Sequence, residues 1–408
     1  MTNDVKNVPG LRFPGFEDVW KEKNLGRVLD IKSGKAYKEN EYTIKGVPLL
    51  QGENINHNKL KKPTVFLPDS YLNDNKNTIL EKDDIVVGLN RPIIKNQLKI
   101  AKVSNEFIPG ILYQRSGKII YDKSKPDFYL NFFDKQIKEF VLKESVGSDQ
   151  PFISTIQLKK KRVYIPVNEN EIVLLNHFFS KLDRQIELEE QKLEKLEEQK
   201  KGYMQKIFSQ ELRFKDENGN DYPEWEDKLI SDIGKVVTGN TPSKKDNDYW
   251  NSNQYVWVTP TDISNKKNIY TSGYQLSQKG FSKARQLPKN TLLITCIASI
   301  GKNAILRIEG SCNQQINAVI PNDNYDVDYL YYAFEDVSKL MKSIAGKTAT
   351  QIVNKAVFEK LLLNVPIYEE QQKISGFLNK VDILIDKQTQ KIDELKLRKL
   401  GFLQKMFV

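Results

Sequence analysis

The residues of this chain with the most chemical reach are lysines, arginines, asparagines and glutamines gathered in turn-rich loops. In the first half they are Lys35, Tyr37 and Lys38 after the turn Ser33-Gly34, then Asn90, Arg91, Lys95, Asn96 and Gln97 around Pro92. In the second half they are Thr241, Lys244 and Lys245 in TGNTPSKK, Lys283 with Arg285, Lys302 after Gly301, the pair Gln314 and Gln315, and Lys347 and Gln351 in GKTATQ. Lys and Arg neutralise phosphate, Arg forks to guanine, and Asn and Gln fork to adenine. Taken singly each is an ordinary solvated side chain. Together they carry the chemistry needed to read a polyanion that bears bases.

Catalysis asks for other patterns, and these are missing. A phosphate-binding P-loop needs GxxxxGK[ST]; Gly346-Lys347-Thr348 comes nearest, but its first glycine would fall at Met341. There is no GxGxxG, no GxSxG elbow and no aromatic N/DPPY signature of amino-methyltransferases. The two histidines, His57 and His177, and the two cysteines, Cys296 and Cys312, are too few and too scattered for a triad, a zinc site or a disulfide framework. No catalytic, cofactor-binding or metal-ligating residue is assigned, and the chain has the character of a binding protein.

Composition agrees. Hydrophobic residues are 39% and charged residues 28% of 408, enough to build real cores. The net charge of +10 is compatible with a polyanionic partner without requiring one. The opening MTNDVKNVPG lacks the charged-then-apolar order of a signal peptide, and no apolar run approaches the ~20 residues of a membrane span. A cytoplasmic protein is expected.

The elements that must position these loops occur twice. GYMQKIF from Gly202 returns as GFLQKMF from Gly401, an offset of 199 residues that also aligns Asp183 with Asp382, Ile186 with Ile385 and Leu196 with Leu395. Weaker echoes run through both halves: Leu11-Arg12-Phe13 with Leu212-Arg213-Phe214, Trp20 with Trp225, SGK at Ser33 with TGN at Thr238, LEKDDIVV with LPKNTLLI. Each half therefore holds a globular segment and then a helical one.

Steps of 3 and 4 through the first helical segment pick out Leu182, Ile186, Glu189, Leu193 and Leu196. The same steps give Val381, Ile385, Gln388, Ile392 and Leu395 in the second. This is a coiled-coil seam with one polar residue near its middle in each helix. Such stripes are buried by pairing within the chain, between chains or on a partner; the tandem arrangement favours an intramolecular antiparallel pair, with Glu189 and Gln388 approaching each other near its axis. A helix of this length spans roughly 60 Å, or about 18 base pairs of DNA. Asn168 and Glu171 suggest an N-capping box at the first helix.

The globular segments mix strand-like runs (Val47–Leu50, Ile85–Leu89, Gln254–Val258, Thr291–Ile297) with helix-like ones (Tyr129–Lys143, Val327–Lys342). Trp257 reads as core. The expected fold is α+β: two tandem mixed α/β domains over 1–165 and 211–365, each followed by a long helix over 166–210 and 366–408, the helices pairing as an antiparallel coiled coil.

This plan resembles the specificity subunits of type I restriction-modification systems. TGNTPSKKDNDYW…YVWVTPTDI from Thr238 is similar to the opening of that family's target-recognition domain. GKTATQIVNKAVFEKLLLNVPIYEEQQKI, Gly346–Ile374, is similar to its junction into the conserved helix. The first half departs, since PVNENEI after Ile165 lacks the Glu-Gln pair found at Glu370-Gln371. The resemblance implies that each domain reads half of a split double-stranded DNA target while the helices set the spacer. It also implies docking of two methyltransferase subunits, which hold S-adenosylmethionine and methylate adenine, and of motor-nuclease subunits, which use ATP and Mg. This chain would carry no cofactor and touch no membrane. The specificity subunit of a related two-subunit system and a stand-alone DNA-binding regulator are the alternatives.

Overall fold

A computed structural model describes residues 7–76, 78–144, 152–250, 252–263, 266–297, 299–346 and 352–408. The chain forms two compact units, Met1–Gln191 with Thr389–Val408, and Lys192–Gln388. Each unit takes its helical part from both ends of the repeat.

In the first unit the strands Ile100–Lys102, Ile85–Gly88, Ser116–Ile120 and Asp30–Ser33 form, in that order, an antiparallel sheet. A smaller sheet sets Val47–Leu50 between Ile111–Leu112, parallel, and Phe66–Leu67, antiparallel. Ile85 and Val87 face one core, with Phe128, Phe132 and Phe133 of the helix Pro126–Glu144. Val86 faces another, with Leu50, Ile55 and Leu112. A strand buried on both faces reads as an unbroken apolar run, which is why IVV is legible as a strand.

The second unit repeats the design. Gly234–Thr238, Ile316–Pro321, Thr291–Thr295 and Asn303–Leu306 form the antiparallel part of a sheet that adds Asn268–Ile269 at its edge. Tyr255–Val258 lies between Gly310–Cys312, parallel, and Tyr274–Leu276, antiparallel. Leu292 and Ile294 face the helix Val327–Ala345, while Leu293 faces Val256 and Ile316.

Both globular parts are entered and left through a two-stranded ribbon: Lys21–Asn24 with Arg162–Ile165, and Glu226–Leu229 with Leu362–Val365. The long helices, Glu169–Phe208 and Tyr368–Met406, follow these ribbons.

The long helices pair antiparallel within each unit. In the first, Phe178 packs edge-on against Phe402, and the Asp183 carboxylate meets Lys399 Nζ at 2.6 Å. Leu182, Ile186 and Leu395 close a small apolar cluster, and Glu189 pairs with Lys391. In the second, Tyr203 packs on Phe377, and Lys200 Nζ meets Asp382 at 2.6 Å. Asp183–Lys399 and Asp382–Lys200 are one ion pair written twice at the repeat offset. Ile392 and Gln388 are buried; Leu193, Leu196, Val381 and Ile385 are half-buried.

A buried glutamate fastens each long helix. Arg12 grips Glu171 through two bonds of 2.6 and 2.8 Å, and the Trp20 indole donates to the same carboxylate at 3.2 Å. Arg213 grips Glu370 at 3.2 and 2.7 Å, joined by the Trp225 indole at 3.1 Å. These bonds raise the pKa of both arginines. One expectation is corrected. Glu171 does not close a capping box, because its carboxylate is spent on Arg12 and Trp20; Asn168 caps through the Asn170 amide at 3.0 Å. The first half lacks the Glu-Gln pair, as expected: the glutamate recurs at Glu171, but Ile172 stands in the place of Gln371.

Among the described residues no helix is long and apolar enough to cross a membrane.

Candidate nucleic-acid interface

The sheet register decides where the loops emerge. In the first unit Ser33 pairs with Gly117, and Ser116 with Gly88. The segments 34–38, 89–99 and 113–115 therefore leave one edge of the sheet. In the second unit Thr238 pairs with Asn317, and Thr295 with Ile316. Segments 239–245, 296–302 and 313–315 leave the equivalent edge. Each first loop starts at a glycine no other residue replaces: a Cβ on Gly34 would lie 1.9 Å from the Leu112 carbonyl oxygen, and one on Gly239 2.3 Å from those of Cys312 and Asn313.

In the first unit Lys35 and Lys38 are exposed, Lys35 Nζ donating to the Asp74 carbonyl at 2.6 Å. Tyr37 departs from the loop-surface expectation. It packs with Val47, Leu49 and Ile111, and its hydroxyl donates to Asn75 at 3.0 Å. That packing makes Tyr37 an anchor for the loop, and the same burial raises its pKa.

The remaining first-unit candidates share one feature. Ile93–Ile94 and Gln97–Leu98 form a two-stranded hairpin turned at Lys95-Asn96, both with positive φ (47° and 61°). That is the backbone of a type I′ turn, whose twist matches the strands it joins. Arg91, Lys95, Asn96 and Gln97 are exposed, whereas Asn90 is half-buried and bridged to Phe152. Lys99 follows, its pKa lowered by burial and then by Lys61 and Arg91, a concentration of positive charge that a phosphate would relieve.

In the second unit Asn240 organises the edge. Its side chain accepts from the Arg285 amide at 2.6 Å and donates to the Lys283 carbonyl at 2.9 Å, and its own carbonyl accepts from the Trp257 indole at 3.0 Å. Thr241 donates to Gln314 at 2.6 Å. Thr241, Lys283, Arg285 and Gln314 are thereby brought together. Lys244 lies over Tyr274, itself T-shaped on Trp257, and Lys245 is exposed. Trp257 is core, 3% exposed. Lys302 is exposed on the 296–302 loop, whose base joins Gln315 through the Cys296 amide. Gln315 itself turns back to Asn313 at 3.0 Å. Lys347 and Gln351 lie outside the described residues.

Asn240, Lys99 and Ile94 escaped the sequence reading. Asn240 stands in the same TGN turn that carries Thr241, and that turn was the available signal. A cleft at the far end of the second sheet, between Asn290, Arg307 and Pro321, is lined by Asp323, Asp326 and Asp328 and does not suit a polyanion.

Comparison with known proteins falls on the same halves. The family described as type I restriction modification DNA specificity domain matches residues 17–198 and again 222–397. The type I restriction enzyme MjaVIII specificity subunit of Methanocaldococcus jannaschii is 34% identical over 207 residues, 49% of this chain and 48% of that protein. The EcoR124I/EcoR124II specificity subunit of Escherichia coli is 28% identical over 258 residues, 60% of this chain and 62% of that protein. The alignments thus span about half the length of the first of these relatives. Among solved structures, the S subunit of a type I restriction-modification system from M. genitalium shares the fold, with a TM-score of 0.58 at 15% identity over 98% of this chain and 99% of that one.

Proposed function

Because the chain belongs to the type I restriction modification DNA specificity family, we propose that it is the non-catalytic specificity subunit of such a system, each unit reading one half of a split DNA target. The observation that carries this is the duplicated sheet edge. Both units send three loops from equivalent strand ends, and both loop sets bear exposed Lys beside Asn and Gln, with Arg91 in the first set and Arg285 held beside the second by Asn240. Cations position the protein on phosphate, and forked amides and guanidinia read base edges in the major groove.

The mechanism is positioning. Two methyltransferase subunits, docked on the long helices, bring S-adenosylmethionine to an adenine lifted from the stack. Motor-nuclease subunits bring ATP and Mg. This chain holds none of these groups; its paired helices fix the unread spacer, and it works in the cytoplasm.

Co-expression with the neighbouring methyltransferase gene, followed by genome-wide mapping of N6-methyladenine, tests the proposal. A split motif that needs both proteins is expected. Two proteins that never associate, with this chain binding DNA alone, would move the reading to a stand-alone regulator.

A further inference from the structure

The two loop edges differ most in one element. Between the paired strands that carry them, the second unit has only residues 296–302, while the first has 89–99 and folds 93–98 into the hairpin. The hairpin alternates as a half-buried ribbon should. Ile93 packs on the core and its partner Leu98 is fully buried, which turns Ile94 and its directly opposed partner Gln97 to the outer face. Ile94 is 48% exposed, an apolar side chain held in water on a hairpin whose Arg91, Lys95 and Asn96 are also exposed. Lys95 and Asn96 hold the left-handed backbone that the type I′ turn requires, and Arg91, with φ 44°, is a third left-handed residue at the foot of the hairpin.

We infer that this hairpin is the base-reading element of the first unit and that its outer pair recognises A·T: Gln97 forks to an adenine and Ile94 lies against a thymine methyl. The inference rests on the specificity-subunit reading and assigns to one ribbon what that reading leaves to a whole loop edge. The major groove admits a two-stranded ribbon, Gln pairs bidentately with adenine N6 and N7, and only thymine offers an apolar group there. Lys95 and Arg91 flank the pair as phosphate contacts, with Lys99 adding charge at the base. The type I′ turn sets the tip, so the pair arrives at the groove already oriented.

The full chain, co-expressed with its methyltransferase, is mapped for N6-methyladenine as wild type, Gln97→Ala and Ile94→Ser. The expected result is a wild-type split motif in which Gln97→Ala relaxes an A·T position other than the methylated one. Discrimination there falls about tenfold and the other half of the motif is untouched. Ile94→Ser relaxes a thymine at the same or the adjacent position. An unchanged motif in Gln97→Ala overturns the inference, as does relaxation in both halves. A wild-type complex that assembles and gives no split motif instead overturns the specificity reading beneath it. Should Gln97→Ala abolish methylation, binding of the purified complex to duplexes carrying each base pair at the A·T positions decides. Lost preference supports the inference; weaker binding with preference intact overturns it.

Discussion

The two units share a skeleton and part company at its ends. Strand order, the parallel Val47–Leu50/Ile111–Leu112 pair and its counterpart Tyr255–Val258/Gly310–Cys312, the ribbons, and the Arg–Glu–Trp fastening all recur. The loop edge does not: one unit presents a hairpin, the other an aromatic-backed loop tied by Asn240. The parts that hold the long helices are repeated, and the parts that face outward from the sheet are free to differ. A scaffold that must present the same helix twice and two different surfaces once each has this division of labour.

A smaller difference lies at the helix start. Gln371 is buried and makes three bonds, accepting from the Asp326 amide at 2.9 Å and donating to the Pro366 and Asn324 carbonyls. Ile172 stands there in the first unit, and Asn176, one turn further, accepts from the Asp127 and Phe128 amides at 3.0 and 3.1 Å. In the second unit Ser375 occupies the position of Asn176 and bonds to Asp326, which caps its own helix. The same helix N-terminus is satisfied by different residues in the two copies.

The largest way to test this likeness is to remove a fastening glutamate. Glu171→Ala and Glu370→Ala each take the acceptor from a half-buried guanidinium and a buried indole, and each should cost about 3 kcal/mol in denaturant unfolding. A loss below ~1 kcal/mol in one unit alone would break the equivalence. Next, Gln371→Ile copies the first unit into the second. It should cost about 1–3 kcal/mol, because the Asp326 amide and two carbonyls lose their partner without an Asn176 to replace it. Adding Ser375→Asn should return part of that. Smaller again, double-mutant cycles on Asp183–Lys399 and Asp382–Lys200 should give couplings of about 0.5–1 kcal/mol, equal within error if the helices pair alike in both units.

The smallest effect is a pH dependence found in the second unit. Asp328 is partly buried, which opposes its ionisation, but the bonds from Lys267 and Arg307 prevail and lower its pKa. A depressed carboxylate stabilises the fold above its unfolded pKa, and that stability fades as pH falls below about 4. Asp328→Asn should flatten this acid limb of a thermal-midpoint profile; an unchanged limb would show that the network contributes nothing.

Much of the fold was legible because it is periodic. Apolar runs buried on both faces marked the strands at Val47, Ile85 and Thr291, and the 3-and-4 spacing marked both long helices. The 199-residue offset exposed the duplication. What stayed hidden depends on partners far along the chain. Glu171 reads locally as a capping residue, and only its meeting with Arg12, 159 residues away, makes it a fastening. Tyr37 has the composition of a loop contact until the fold sets Asn75 and Tyr71 around it. The hairpin was hidden for another reason: its turn is Lys-Asn, without the glycine by which such turns are usually recognised.

The ribbons suggest the most direct test of the whole account. Each globular part enters and leaves on adjacent strands, Lys21–Asn24 beside Arg162–Ile165 in the first unit, so it can be exchanged with both ends in place. Residues 25–161 would be replaced by the corresponding domain of a relative, and the N6-methyladenine motif mapped in the co-expressed complex. The account predicts a new sequence in one half of the motif, with the other half and the spacer length unchanged. A change in both halves, or an unaltered motif, would contradict it.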